Sequence, residues 1–91
     1  MAVTVKLPTQ LRPAAGNAPE AQVDGTTVRE ALEALYDQHG ELRERLADDG
    51  GALRRFVNVY LGGEDIRFLE GLETPVKDGD ELTILPAVAG G

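Results

Sequence analysis

One segment of this chain reads as a long amphipathic helix, and most of what surrounds it reads as strand. From Thr27 onward, Val28, Ala31, Leu32, Leu35 and Tyr36 recur at helical spacing and make a single apolar stripe. Thr27-Val28-Arg29-Glu30 has the form of a capping box. The Thr27 hydroxyl can accept from the Glu30 N–H, and the Glu30 carboxylate can reach back to the Thr27 N–H. Gly40 stands where a C′ glycine would stop the helix. One apolar stripe covers one sheet face, so the chain is restricted to one layer of strands packed on one main helix.

The flanking segments supply that layer. Val3, Val5 and Leu7 alternate with Thr4 and Lys6, the pattern of a half-buried strand closed by Pro8. The stretch from Pro13 to Pro19 is a loop or wide turn. A short second strand follows around Ala21-Gln22-Val23 and stops at Asp24-Gly25. After the main helix, residues 41–46 suggest a second short helix, ended by Asp48-Asp49-Gly50-Gly51. Phe56-Val57-Asn58-Val59-Tyr60-Leu61 is the strongest strand signal. Gly62-Gly63 is a tight-turn pair, and Asp65 to Leu69 reads as the returning strand. Gly71 to Pro75 is irregular, with room for one helical turn. Asp78-Gly79-Asp80 then turns the chain into a last strand, residues 81–85, which Pro86 ends by withholding a donor.

Two strands, a crossover helix and three more strands make an α+β chain with a mixed sheet of about five strands on one helix. That arrangement is the β-grasp, or ubiquitin-like, fold. The expected organisation is a β-grasp domain over residues 1–86 and a flexible diglycine tail over residues 87–91.

Ninety-one residues make one domain and one modest core, with little room for a deep cavity. Sixteen acids against nine bases give a net charge of −7, which lacks the basic footprint that nucleic acid requires. An acidic surface is equally consistent with plain solubility and with a basic protein partner. There is no cysteine, hence no disulfide framework, no thiolate metal cluster and no ferredoxin-like iron–sulfur centre. No apolar run is long enough for a bilayer, and no signal-peptide pattern precedes the first strand. A cytoplasmic protein without membrane or nucleic-acid partners, monomeric when alone, is expected.

The sequence closes on Pro86-Ala87-Val88-Ala89-Gly90-Gly91. The five residues after Pro86, if extended, reach about 17 Å. They carry no charge and no side chain bulkier than that of Val88. Gly90 and Gly91 permit close backbone approach, so the Gly91 carboxylate could be threaded into a narrow site on another protein. A frayed end that happens to be glycine is the bland alternative. Strand parity turns Val57, Val59 and Leu61 toward the helix and leaves Phe56, Asn58 and Tyr60 on the far face, with Leu85 near the tail. Phe56, Tyr60 and Leu85 are therefore candidates for an exposed apolar patch on a partner-binding face, unless residues 47–54 fold over them.

The remaining polar clusters are less telling. His39, the only histidine, fits a helix C-terminus better than a catalyst. Asp48-Asp49 and Asp78/Asp80/Glu81 lack calcium-loop spacing and are explained by Asp-Gly turns, so no metal site is expected. Arg54, Arg55 and Arg67 are a small basic spot that pairs with nearby acids or meets a partner.

Four segments together resemble the MoaD/ThiS ubiquitin-like sulfur carriers: Phe56 to Tyr60, Glu64 to Phe68, Gly71 to Pro75, and Gly79 to Gly91. Arg55 to Tyr60 and the ending Ile84 to Gly91 are similar to the carrier type that serves thiocarboxylate-dependent cysteine biosynthesis. The resemblance implies that a ThiF/MoeB-like enzyme uses MgATP to adenylate the Gly91 carboxylate. A sulfur donor then converts it to a thiocarboxylate. It implies a sulfur-accepting partner, in the cysteine pathway a PLP-dependent cysteine synthase, and a zinc peptidase that regenerates Gly91. Ala87, Val88, Ala89 and Gly90 would lie in the partner's cleft. The chain itself would bind no cofactor and would be a protein co-substrate rather than an enzyme. Related carriers serve thiamin, molybdopterin or thio-containing natural products, and a small subunit of a molybdopterin synthase is a further option within the family. A passive β-grasp binding module and a modifier joined to lysines remain alternatives, although Lys6 and Lys77 are the only lysines of the chain.

Overall fold

The computed structural model describes residues 2–86. Ala87, Val88, Ala89, Gly90 and Gly91, to which the sequence assigns the chemistry, lie outside the described residues. Five strands form one mixed sheet: β1 (Ala2–Lys6), β2 (Glu20–Asp24), β3 (Val57–Leu61), β4 (Glu64–Asp65) and β5 (Glu81–Pro86). Their order is β2-β1-β5-β3-β4. The β1/β5 pair is parallel and the other neighbours are antiparallel. Two helices, α1 (Val28–Gln38) and α2 (Gly40–Leu46), stand between β2 and β3 in the chain. This is the β-grasp arrangement expected from the order of elements.

The core forms where the helical stripe meets the inner face of the sheet. Val28, Ala31, Leu32, Leu35 and Tyr36 of α1 are buried, as are Val3 and Val5 of β1, Ala21 and Val23 of β2, Val57 and Val59 of β3, and Leu82 and Ile84 of β5. Alternation in each strand supplies one inward row, and spacing in the helix supplies the opposing stripe. Burying each large side chain contributes roughly 1.5–3 kcal/mol. Leu42 and Leu46 of α2 complete the same cluster.

Local signals account for most boundaries. Thr27 caps α1 by accepting from the Glu30 N–H at 3.2 Å. The second arm of the box reaches one residue further back than expected. The Thr26 N–H and hydroxyl both donate to Glu30 Oε1, at 2.8 Å each. These bonds, the backbone one foremost, hold the Glu30 carboxyl below its ordinary range. Gly62 and Gly63 have φ of 58° and 94°, the left-handed pair required by a two-residue hairpin turn between β3 and β4.

Two expectations are corrected. Gly40 does not stop the helix as a left-handed cap. It is the first residue of α2, and the break falls on His39, whose φ of −136° and ψ of 81° are not helical. The returning strand covers only Glu64 and Asp65 rather than Asp65 to Leu69. Asp65 caps a 3-10 turn at Ile66–Phe68 by accepting from the Arg67 N–H, which ends the ladder and turns Ile66 into the core.

Tyr36 lends the fold a pH limit. Its ring is buried, with the Arg43 guanidinium 4.9 Å from the ring centroid. Burial first, and the nearby Glu33 charge second, push its hydroxyl up to about 12, against the opposing charge of Arg43. The unfolded chain releases this proton from about pH 10, so it binds fewer protons than the folded one between those values. The contribution of this group is fully present below about pH 10 and is expected to fall by about 1.4 kcal/mol per pH unit up to about 12. Urea melts across that range should show the decline in the wild type and lose it in Tyr36→Phe.

Candidate functional site

The site is the end of the sheet at which β5 finishes. The β3/β5 register places Val57 opposite Pro86 and Asn58 opposite Leu85. Pro86, the last described residue, therefore lies at the end of the central strand, beside the start of β3.

The outer face of the sheet, away from α1, is polar over β2 and β1. Glu20, Lys6, Thr83, Tyr60 and Asp65 stand in one row across all five strands, as the pairings show. Gln22 Nε2 donates to Thr4 Oγ1 at 2.7 Å, and Lys6 Nζ lies 3.7 Å from Glu81 Oε2. Apolar surface begins only at β5 and β3. Leu85 is 46% exposed and Tyr60 is partly exposed, on diagonal positions of the same face. These two predicted residues are brought together.

Phe56 is placed differently. It precedes β3 rather than joining it, because the Val57 N–H donates to the Arg54 carbonyl at 3.0 Å and makes residues 54–57 a turn. Its ring, 48% exposed, borders a shallow depression with Asp48, Leu53, Arg54 and Arg55. Part of the 47–54 segment thus adjoins Phe56, while Leu85 keeps its exposure. Phe56 is exposed as expected, but it stands one residue before β3, where strand parity no longer assigns a face.

An ion pair stiffens the same region. Arg67 Nη2 donates to Asp65 Oδ2 at 2.8 Å and its Nε donates to Asp65 Oδ1 at 3.2 Å. It also donates to Asn58 Oδ1. Asn58 faces Leu85, so the guanidinium is fixed on the outer face next to the apolar pair. The Arg67 side chain first, then the Arg67 backbone N–H, hold the Asp65 carboxyl below its ordinary range.

Sequence reasoning missed Phe68, which is 86% exposed, and Leu69, which is 39% exposed. Both follow from the 3-10 turn that replaces the expected strand. The signal was Asp65 two residues before Arg67, an N-cap in place of a strand position. Among the described residues no group of His, Cys, Asp or Glu is arranged to hold a metal, and no helix is long and apolar enough to cross a membrane.

On this geometry Tyr60 and Leu85 lie outside the buried core. Tyr60→Ala or Leu85→Ala should weaken partner binding several-fold and leave the melting temperature within a few degrees. A large fall in melting temperature with unchanged binding would return them to a structural role.

The ThiS family matches residues 5–91, which includes Gly91. The chain is 46% identical over 93 aligned residues to the sulfur carrier protein CysO of Mycobacterium tuberculosis, covering 100% of both. It resembles a chain in the crystal structure of the BexX/CysO complex of Amycolatopsis orientalis, with 49% identity, 99% and 100% coverage and a TM-score of 0.91. The small archaeal modifier protein 1 of Methanosarcina acetivorans is similar over 99% and 96% of the two chains, with 41% identity and a TM-score of 0.88. The chain belongs to the ThiS/MoaD family of ubiquitin-like sulfur carriers, proteins on which partner enzymes act and which are not catalysts themselves.

Proposed function

We propose that Gly91 carries the sulfur. Its carboxylate attacks the α-phosphorus of MgATP on a ThiF/MoeB-like enzyme, and pyrophosphate leaves. A sulfur nucleophile then attacks the carbonyl carbon of the acyl adenylate, and AMP leaves with the electron pair of the C–O bond. The product is a thiocarboxylate on Gly91. A carboxylate is a poor electrophile, and adenylation supplies the leaving group it lacks. In this proposal the acid, base and metal for these steps belong to the partner, and among the described residues no group of His, Cys, Asp or Glu is arranged to hold a metal.

The observation that carries this reading is the family match, which extends from residue 5, in the first strand, to Gly91. The geometry is in keeping with it. The chain emerges from the central strand at a sheet end flanked by exposed Leu85 and Phe56. Residues 1–86 are then the docking domain and residues 87–91 the reacting tail, with Ala87, Val88, Ala89 and Gly90 in the partner's cleft. High identity to CysO favours cysteine biosynthesis as the destination, with a PLP-dependent cysteine synthase as acceptor and a zinc peptidase to release the product. Action in the cytoplasm belongs to the same proposal.

The similarity to an archaeal modifier protein favours one further reading. The same activated Gly91 could be passed to a lysine amine of another protein, forming an isopeptide bond.

Intact-mass spectrometry with MgATP, sulfide and the activating enzyme decides the matter. Exchange of O for S adds about 16 Da. No gain with a folded carrier and an enzyme that binds it would leave a passive binding module. A covalent adduct with a second protein in place of that gain would favour the modifier.

A further inference from the structure

The three arginines near the tail separate into different environments. Arg67 is committed to Asp65 and Asn58. Arg54 Nε donates to the Glu44 carbonyl at 3.2 Å. Arg55 is exposed, and no hydrogen bond or ion pair engages its guanidinium among the described residues. It stands in the turn before β3, next to the half-exposed Phe56. That turn lies at the sheet end where β5 finishes, because Val57 is opposite Pro86. On a chain of net charge −7, an unneutralised cation beside an exposed ring is a local reversal of surface character.

We propose that Arg55 and Phe56 form a docking point for the activating enzyme, with Phe56 in an apolar pocket and Arg55 on a carboxylate at the rim of that pocket. This rests on the activation of Gly91 proposed above. An enzyme that holds the Gly91 carboxylate must also cover the place where the tail begins. Five extended residues separate the two places by up to about 17 Å. With the tail extended, as threading into a cleft requires, that exceeds the screening length of about 8 Å at physiological salt, and the proposal gives Arg55 no part in stabilising charge at the reacting carbonyl. Its contribution is to encounter and register, the usual effect of a charge at the edge of an interface. The planar guanidinium suits a carboxylate, which it can grip with two parallel bonds. Arg55 is thus a positioning residue whose effect belongs in KM and not in kcat.

The test follows thiocarboxylate formation by intact mass against carrier concentration, with MgATP, sulfide and the activating enzyme. Arg55→Glu should raise KM about tenfold and leave kcat unchanged. Arg55→Lys should recover part of the loss. Phe56→Ala should raise KM by a similar factor without lowering the melting temperature. Arg29→Glu makes the same change in net charge on α1, where Arg29 pairs with Glu73, and should leave KM within about twofold. An unchanged KM in Arg55→Glu, an equal rise in Arg29→Glu, or a fall in kcat at constant KM overturns the docking role. A wild-type carrier that binds the enzyme yet gains no sulfur overturns the Gly91 reading alone. The Kd values of the same variants then decide the role of Arg55.

Discussion

Deleting Gly91 should abolish the mass gain of about 16 Da while the melting temperature stays within a degree or two of the wild type. The first half follows from the proposed chemistry. A chain ending at Gly90 offers a carboxylate one residue short, and a misplacement of even about 1 Å can cost about a hundredfold in rate. The second half follows from where the core lies. The buried side chains among the described residues run from Val3 to Ile84, and removal of Gly91 takes none of them. Intact mass and a thermal melt on one preparation check both. Sulfur loading in the deletion variant, or its unfolding, would sink the assignment of chemistry to the tail. A deletion variant that still binds the activating enzyme, but with no mass gain, would separate the docking domain from the reacting end.

Leu35→Ala should cost about 2–5 kcal/mol, the range for deleting most of a buried leucine side chain and leaving a cavity. Leu35 is fully buried at the centre of the α1 stripe, within the cluster that holds β1, β3 and β5 side chains. Alanine is the better helix former, so no local penalty confuses the result. A domain of this length has on the order of 5–14 kcal/mol of stability in all. The melting temperature should fall by about 10 °C or more. Urea denaturation provides the free energy directly. A loss below about 1 kcal/mol would mean that α1 does not rest on the sheet through this residue. The same variant, below its melting point, should still accept sulfur, because Leu35 lies on the inner side of the sheet and the tail leaves from its end.

Much of the architecture is legible residue by residue. The α1 stripe, the Thr27 cap, the Gly62-Gly63 turn and the alternation of Val57 and Val59 each report a local requirement met by local chemistry. The two misreadings arose where one pattern has two local solutions. Asp65-Ile66-Arg67-Phe68-Leu69 alternates like a strand, yet only Asp65 stays in the ladder, and its carboxylate accepts from the Arg67 backbone N–H and guanidinium as the chain turns away after it. Gly40 suits a helix stop, but the chain needs only a change of direction there. His39 makes that change, and Gly40 starts the next helix.

The candidate site divides in the same manner. Tyr60 and Leu85 were predictable on one face because both strands keep strict parity. Phe56 falls outside that parity, because the bond from Val57 to Arg54 makes a turn there and β3 starts one residue after it. Most element types, the β-grasp order, the lack of cysteine and the diglycine end could be read without the fold. Each of these depends on neighbouring residues or on composition. Which arginine stands free, that Phe68 faces outward, and which residues flank the end of β5 came from the folded sheet. Those depend on pairings between positions far apart in the chain, such as Val57 with Pro86. No periodicity records them, because they are chosen by the packing of the whole sheet against the helix.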